Sequence, residues 1–353
     1  MRVLGYCLNQ FPKGQLLQAL DMLTPGTGAG LWINRSLARE LQVPGALEAL
    51  RDELHKRELI AYSLNAFPAD DFHGPVVKHR VYHPAWDRVE RLEYTLEVAE
   101  LLAGLLPEGA EGSLSTLPVG WPGTVELGQA RVHLARAAGG LRELHERTGH
   151  LIHLDLEPEP GCVLSTSADL VAFWQDLDRV YLRVCHDVCH AAVMAEGQGE
   201  ALERYRRAGI RVGKVQISSA LLVPDCRLAR PALERLSQDR YLHQCLYERR
   251  QLFEDLPDFL EQDLPPGELR VHYHVPVDLL ELEDGVKTTS EEIAACLAAL
   301  DPEVAHLEVE TYTRIQPEAV LRRELEWVAG LLQASESESK TAVSRPLRSD
   351  RKI

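Results

Sequence analysis

The chain has 353 residues, 45% of them hydrophobic and 26% charged, with a formal net charge of −16. That mix suits a soluble globular protein with a sizeable core, and so acidic a surface disfavours binding to nucleic-acid phosphates. There is no apolar run of roughly 18 residues to span a membrane and no secretory signal at the start, and an odd count of cysteines argues for reduced thiols, so a cytoplasmic location is expected.

In chain order, short apolar or β-branched runs predict strands over residues 3–9, 59–67, 113–119, 151–158, 182–188, 212–219, 271–277 and 307–313. Residues 31–34 make a weaker ninth. Helical patterns lie between them, over 86–106, 125–148, 168–179, 200–208, 231–249, 290–300 and 316–332. In the first of these, Val89, Leu92, Leu96 and Val98 share a side opposite acids and arginines. Ser290 followed by Glu291 and Glu292 reads as a helix N-terminus. Strand–helix alternation with no Gly-rich or Pro-rich linker predicts a single (β/α)8 TIM barrel over residues 1–333. A doubly wound open sheet competes, but no G-x-G-x-x-G follows the first strand, where Gly5-Tyr6-Cys7-Leu8-Asn9-Gln10 stands. Nine strands are one too many for the barrel, so either 31–34 or 271–277 is an insertion. Residues 334–353 are polar and of low complexity, and a disordered tail is expected there.

The strands carry unusual residues. In the run 151–158, Ile152, Leu154 and Leu156 alternate with His153, Asp155 and Glu157, so period two turns the polar set towards the barrel axis. The same holds for Arg183, Cys185 and Asp187; for Lys214, Gln216 and Ser218; for His272 and His274; and for Glu308, Glu310 and Tyr312. Charges on buried faces are costly unless paired or metal-bound. Barrel sites gather at the C-terminal ends of strands, where Glu157, Asp187, Gln216 and Glu310 offer an oxygen-rich set suited to Mn²⁺ or Mg²⁺. Adding His190 or His274 would turn the preference towards Zn²⁺, Co²⁺ or Fe²⁺. The competing reading is a set of buried ion pairs, such as Glu157 with Lys214 or Arg183. After the strand at 59–67, Asn65, Phe72, His73 and Lys78 read either as a substrate-facing loop, with Lys78 on a phosphate or carboxylate, or as an ordinary solvated one. Three residues separate Cys185 from Cys189, one too many for a haem attachment signature, and the two read as packing residues.

The succession Leu-Glu-Pro-Glu-Pro at 156–160, Cys-His-Asp-Val-Cys-His at 185–190, Lys-Val-Gln-Ile-Ser-Ser-Ala at 214–220, His-Tyr-His-Val-Pro at 272–276 and Glu-Val-Glu-Thr-Tyr at 308–312 resembles the xylose isomerase-like TIM-barrel superfamily. Within it, Asn65-Ala-Phe-Pro, Phe72-His, Val77-Lys, Val81-Tyr-His-Pro and Ser115-Thr-Leu-Pro resemble the EboE group of metabolite-traffic proteins. The resemblance implies metal ligands at Glu157, Asp187, Gln216 and Glu310, with His190 beside Asp187. Gln216 stands where His is usual. It also implies a second-metal or substrate part for His272 and His274; on the substrate-facing reading of their loop, Asn65, His73 and Lys78 join them on the substrate side. The implied chemistry is a divalent-metal-dependent (Mn, Zn, Co or Mg) sugar isomerase or epimerase reaction through a cis-enediolate. A carboxylate bound to metal is a poor base, so Glu159 or Glu308, with His190 beside the metal, are the catalytic candidates. The expected partners are a small-molecule metabolite and other proteins of a metabolite-traffic cluster. A non-catalytic carrier with the same barrel is the alternative. A nuclease acting at abasic sites would use similar ligands, but the acidic charge counts against it.

Overall fold

The computed structural model describes residues 2–312 and 318–343. Its strands in chain order are β1 (Val3–Cys7), β2 (Gly28–Trp32), β3 (Ile60–Asn65), β4 (Gly112–Thr116), β5 (Ile152–Leu156), β6 (Leu182–Asp187) and β7 (Val212–Ile217). They continue with β8 (Leu221–Val223), β9 (Cys245–Tyr247), β10 (Gln251–Phe253), β11 (Leu269–Val271), β12 (Lys287–Thr288) and β13 (His306–Val309). Strands β1 to β7 and β13 are all parallel and close into an eight-membered barrel in that order. Parallel neighbours need a crossover, and helices supply it, among them Ala46–Lys56, Val89–Leu105, Leu127–Thr148, Ser167–Trp174, Gln198–Arg207 and Glu291–Ala299. Ile152, Leu154 and Leu156 of β5 join the main hydrophobic core with residues of these helices, while the intervening polar residues fill the barrel.

Between β7 and Glu291–Ala299 the chain inserts a second, antiparallel sheet in the order β10, β9, β11, β8, β12. It has its own core around Leu221, Val223, Leu233, Cys245, Phe259 and Val271. This settles the surplus strand: residues 28–32 belong to the barrel, and of residues 271–277 only Val271 pairs, in the insert. The helical pattern over 231–249 is a helix only at Arg230–Leu236, because Cys245–Tyr247 is drawn into pairing with β10 and β11. The last helix, Glu318–Val343, runs into the segment where a tail was expected. Residues 344–353, Thr313 of the last expected strand, and 316–317 of the last expected helix lie outside the described residues. Among the described residues, no helix is long and apolar enough to cross a membrane.

The barrel interior is polar through its middle. Lys214 is fully buried, donating to Glu308 Oε2 at 3.1 Å, Ser115 Oγ at 3.0 Å and Ser63 Oγ at 3.2 Å. Gly30 makes room for this arrangement, since a Cβ there would lie 2.6 Å from Glu308 Oε1. Gly30→Ala is therefore expected to destabilise the fold by about 1–3 kcal/mol, the usual cost of overpacking. Denaturant unfolding measures it, and an unchanged midpoint would show that the Glu308 side chain is free to move aside.

Candidate active site

Three carboxylates meet at the C-terminal mouth of the barrel. Glu157 follows β5. Asp187 ends β6 and caps the helix Val188–Val193, its Oδ1 accepting from the His190 amide and from Ser218 Oγ, both at 2.8 Å. Glu310 follows β13 and accepts from Asn9 Nδ2 at 3.1 Å and Cys7 Sγ at 3.5 Å. One oxygen from each of the three lies within 4.8 Å of the others, and all three residues are buried. Glu157 Oε2, Asp187 Oδ2 and both amide atoms of fully buried Gln216 have no hydrogen-bond partner. Orphaned polar atoms in a buried site are expensive. Neither expected ion pair relieves them: Lys214 is held by Glu308, and Arg183 pairs with Glu111. Burial, then the charges of Glu310 and Asp187, pushes the Glu157 carboxyl well above its ordinary range. Burial and Asp187 push Glu310 up to about 8. Burial also acts to raise Asp187, but His190, His274 and hydrogen bonds outweigh it and hold its carboxyl below the usual value.

The histidines add to this set. His190 Nδ1 lies 2.9 Å from the Pro158 carbonyl, and His272 Nδ1 lies 2.7 Å from Gln244 Oε1. The Gln244 amide nitrogen donates to Tyr82 Oη at 3.1 Å, so its oxygen is the acceptor. Both Nδ1 atoms are thus donors, which leaves a lone pair on each Nε2. Those two Nε2 atoms are 3.1 Å apart, and His274 Nε2 is 3.1 Å from that of His272. Facing lone pairs repel unless a cation sits against them. Burial drives His272 well below its ordinary value and His274 down to about 3, so neither of those two rings carries the proton near neutral pH. Ligand atoms of Asp187, His190 and His274 also lie within 4.8 Å of one another. Orphaned oxygens and unprotonated imidazoles in one pocket fit a divalent cation.

Glu159 stands beside this group with Oε1 accepting from Tyr82 Oη at 2.8 Å and Oε2 unpartnered, and burial raises its carboxyl. Asn65 lines the mouth, its Oδ1 committed to the Phe67 amide at 2.7 Å and its amino group remaining as a donor. The space open to water centres there is about 80 Å³.

Not every expected residue arrives. Lys78 lines the cavity, but its ammonium is engaged by the Asp255 carboxylate and the carbonyls of Tyr241, at 2.9 Å, and Gln238. It tethers the loop after β3 to the inserted sheet. His73 packs beside Phe72 and Trp32 with Nε2 3.0 Å from the Asn9 carbonyl, behind the cavity wall. Glu308 is down in the barrel with Lys214, away from the residues lining the mouth. Sequence reading passed over Asn9 and Gln244. Asn9 was findable as a polar residue closing the first expected strand, whereas Gln244 carried no local signal. All seven cysteines are free and buried, as packing residues would be.

No family model matches the chain, and no curated protein matches it in sequence. Solved structures do match along nearly the whole length. An L-ribulose 3-epimerase aligns at TM-score 0.57 with 12% identity, covering 98% of this chain and 99% of that one. A xylose isomerase domain protein from Alicyclobacillus acidocaldarius aligns at TM-score 0.54 with 14% identity, over 95% and 100%. A xylose isomerase-like TIM barrel protein from Mycobacterium smegmatis, in complex with magnesium, aligns at 0.55 with 12% identity, over 93% and 91%. The fold is that of the xylose isomerase-like TIM barrels.

Proposed function

We propose that this chain is a divalent-metal-dependent isomerase or epimerase of a small polyhydroxylated metabolite. The observation that carries the reading is the meeting of orphaned Glu157, Asp187 and Gln216 atoms with Glu310 and the lone-pair faces of His190 and His272. Glu157, Asp187, Gln216 and Glu310, with His190 and His274 next to Asp187, would hold the ion. Bound there, a dication stabilises negative charge developing on a substrate oxygen.

The chain's own groups do the rest. Glu159 is held by Tyr82 and has a free oxygen, so it is placed to take a proton from a substrate α-carbon and return it. Its raised pKa brings it nearer the range where a carboxylate both accepts and releases a proton. The Asn65 amino group is a donor for a substrate hydroxyl. Phe67, Tyr241 and Tyr312 wall the cavity and exclude water, and Tyr312 stacks on His274 with centroids 4.2 Å apart, steadying that ring. The motif resemblance to the EboE group supports a role in processing or moving a secondary-metabolite precursor, in the cytoplasm and beside other proteins of such a cluster. Gln216, in the place where the resemblance implies His, favours a second reading: a carrier that binds its metabolite without turning it over.

Solvent exchange separates the two. Metal-loaded protein with pentoses and hexoses in deuterated water is expected to label the α-carbon, followed by NMR. Glu159→Gln is expected to slow labelling by about 10²–10⁴-fold, the usual contribution of a positioned acid–base group. Tight sugar binding with no labelling by fully metallated protein would overturn the isomerase reading in favour of the carrier.

A further inference from the structure

A second cluster lies at the opposite, N-terminal end of the barrel. Glu111 immediately precedes β4, His153 is near the start of β5, and His306 opens β13. One ligand atom from each lies within 4.8 Å of the other two. The two rings have centroids 5.6 Å apart, and His153 Nε2 is 3.3 Å from Glu111 Oε1. His306 is buried, and neither of its ring nitrogens has a hydrogen-bond partner, while His153 Nε2 faces the Glu111 carboxylate.

The surroundings are those of a held ligand. His153 Nδ1 is 2.6 Å from Asp155 Oδ1, and Ser113 Oγ donates to Asp155 Oδ2 at 2.6 Å. A carboxylate on Nδ1 with Nε2 turned inward is the arrangement that orients metal-bound histidines. Burial acts to lower the His153 pKa, but Asp155 and Glu111 outweigh it and hold it above its ordinary value, so an ion taken up there displaces a proton. Gly213 makes the space for it, because a Cβ there would lie 2.1 Å from Asp155 Oδ1. On the outer side, Arg183 pairs with the Glu111 carboxylate and fixes its position. Glu111 and Arg183 line a cleft of about 760 Å³ that also touches Tyr205 and Val304, which gives an ion a path from solvent.

We propose that Glu111, His153 and His306 form a second metal site, for Zn²⁺ or a similar transition dication, in the floor of the barrel and separate from the mouth. Two imidazoles and one carboxylate are a zinc-type set with an open fourth position, and the nitrogen donors disfavour Mg²⁺ and Ca²⁺. Strands β5 and β13 are separated in the barrel by β6 and β7. An ion held by His153 and His306 therefore ties together two strands that do not pair with each other and stabilises the folded state by mass action.

Metal-stripped protein titrated with Zn²⁺ or Co²⁺ tests the site. His306→Gln is expected to lower the bound stoichiometry by one equivalent relative to wild type, whatever the mouth binds. In a protein carrying Asp187→Asn and Glu310→Gln, one equivalent should remain, with a visible Co²⁺ d–d spectrum and a thermal midpoint that rises with Zn²⁺. Asp155→Asn should weaken that binding by about 10–100-fold, as loss of an outer partner does. Circular dichroism checks folding, and Glu111→Gln, at a partly exposed position, stands in if the His306 variant does not fold. Unchanged stoichiometry in a folded His306→Gln or Glu111→Gln protein would overturn the site.

Discussion

Asp187→Asn and Glu310→Gln are each expected to abolish metal binding at the barrel mouth, weakening it by more than about 100-fold. Removing even an outer partner of a ligand costs about 10–100-fold, and these side chains would be ligands themselves. Asp187 also faces both His190 and His274, so its loss empties the centre of the donor set. The measurement is elemental analysis of protein incubated with Mn²⁺, Zn²⁺ or Co²⁺ and then dialysed, with wild type beside the two variants. Because the barrel floor offers its own ligands, the expected readout is the loss of one equivalent, with the remainder kept. Uptake at the mouth should also depend on pH. Glu310 is held up to about 8 by burial and Asp187, and Glu157 is raised as well. Below that range protons compete with the ion, so affinity is expected to rise with pH towards about 8, with protons released on binding. Wild-type protein that takes up no metal, or variants that keep all of it, would remove the isomerase reading and leave a binding protein with a remodelled pocket.

Lys214→Met is expected to destabilise the protein by about 3–5 kcal/mol, the cost of removing one partner of a buried ion pair. Lys214 is fully buried, and its ammonium bonds Glu308, Ser63 and Ser115. Without it, the Glu308 carboxylate stays in the barrel with no compensating charge and Gly30 directly behind it. The double variant Lys214→Met/Glu308→Leu is expected to recover much of the loss, because an apolar pair of similar volume avoids the desolvation of two ions. Denaturant unfolding of wild type, both single variants (Lys214→Met and Glu308→Leu) and the double variant gives the coupling. A single variant within about 0.5 kcal/mol of wild type, the range of ordinary surface changes, would show that the pair is not what fills the middle of the barrel.

The sequence by itself determined the barrel and the polar lining of its interior. Both follow from local rules: alternation of helix and strand requires crossovers, and period two sends His153, Asp155 and Glu157 to one face of β5. All three are indeed buried inside. What it could not determine was height. Residues two apart on a strand rise by roughly 6–7 Å, so the same face serves two separate sites. His153 reaches the floor, Asp155 supports it, and Glu157 reaches the mouth. Glu308 and Glu310 divide in the same way, one paired with Lys214 and the other facing Asp187. The inserted sheet was also beyond local reading, because strands of two or three residues show no period and pair only through distant contacts. That sheet decides the fate of Lys78, claimed by Asp255 far along the chain, and sets His272 against His190 through Gln244. Periodicity states which way a side chain points. Which partner it meets depends on registers and insertions that only the closed barrel brings together.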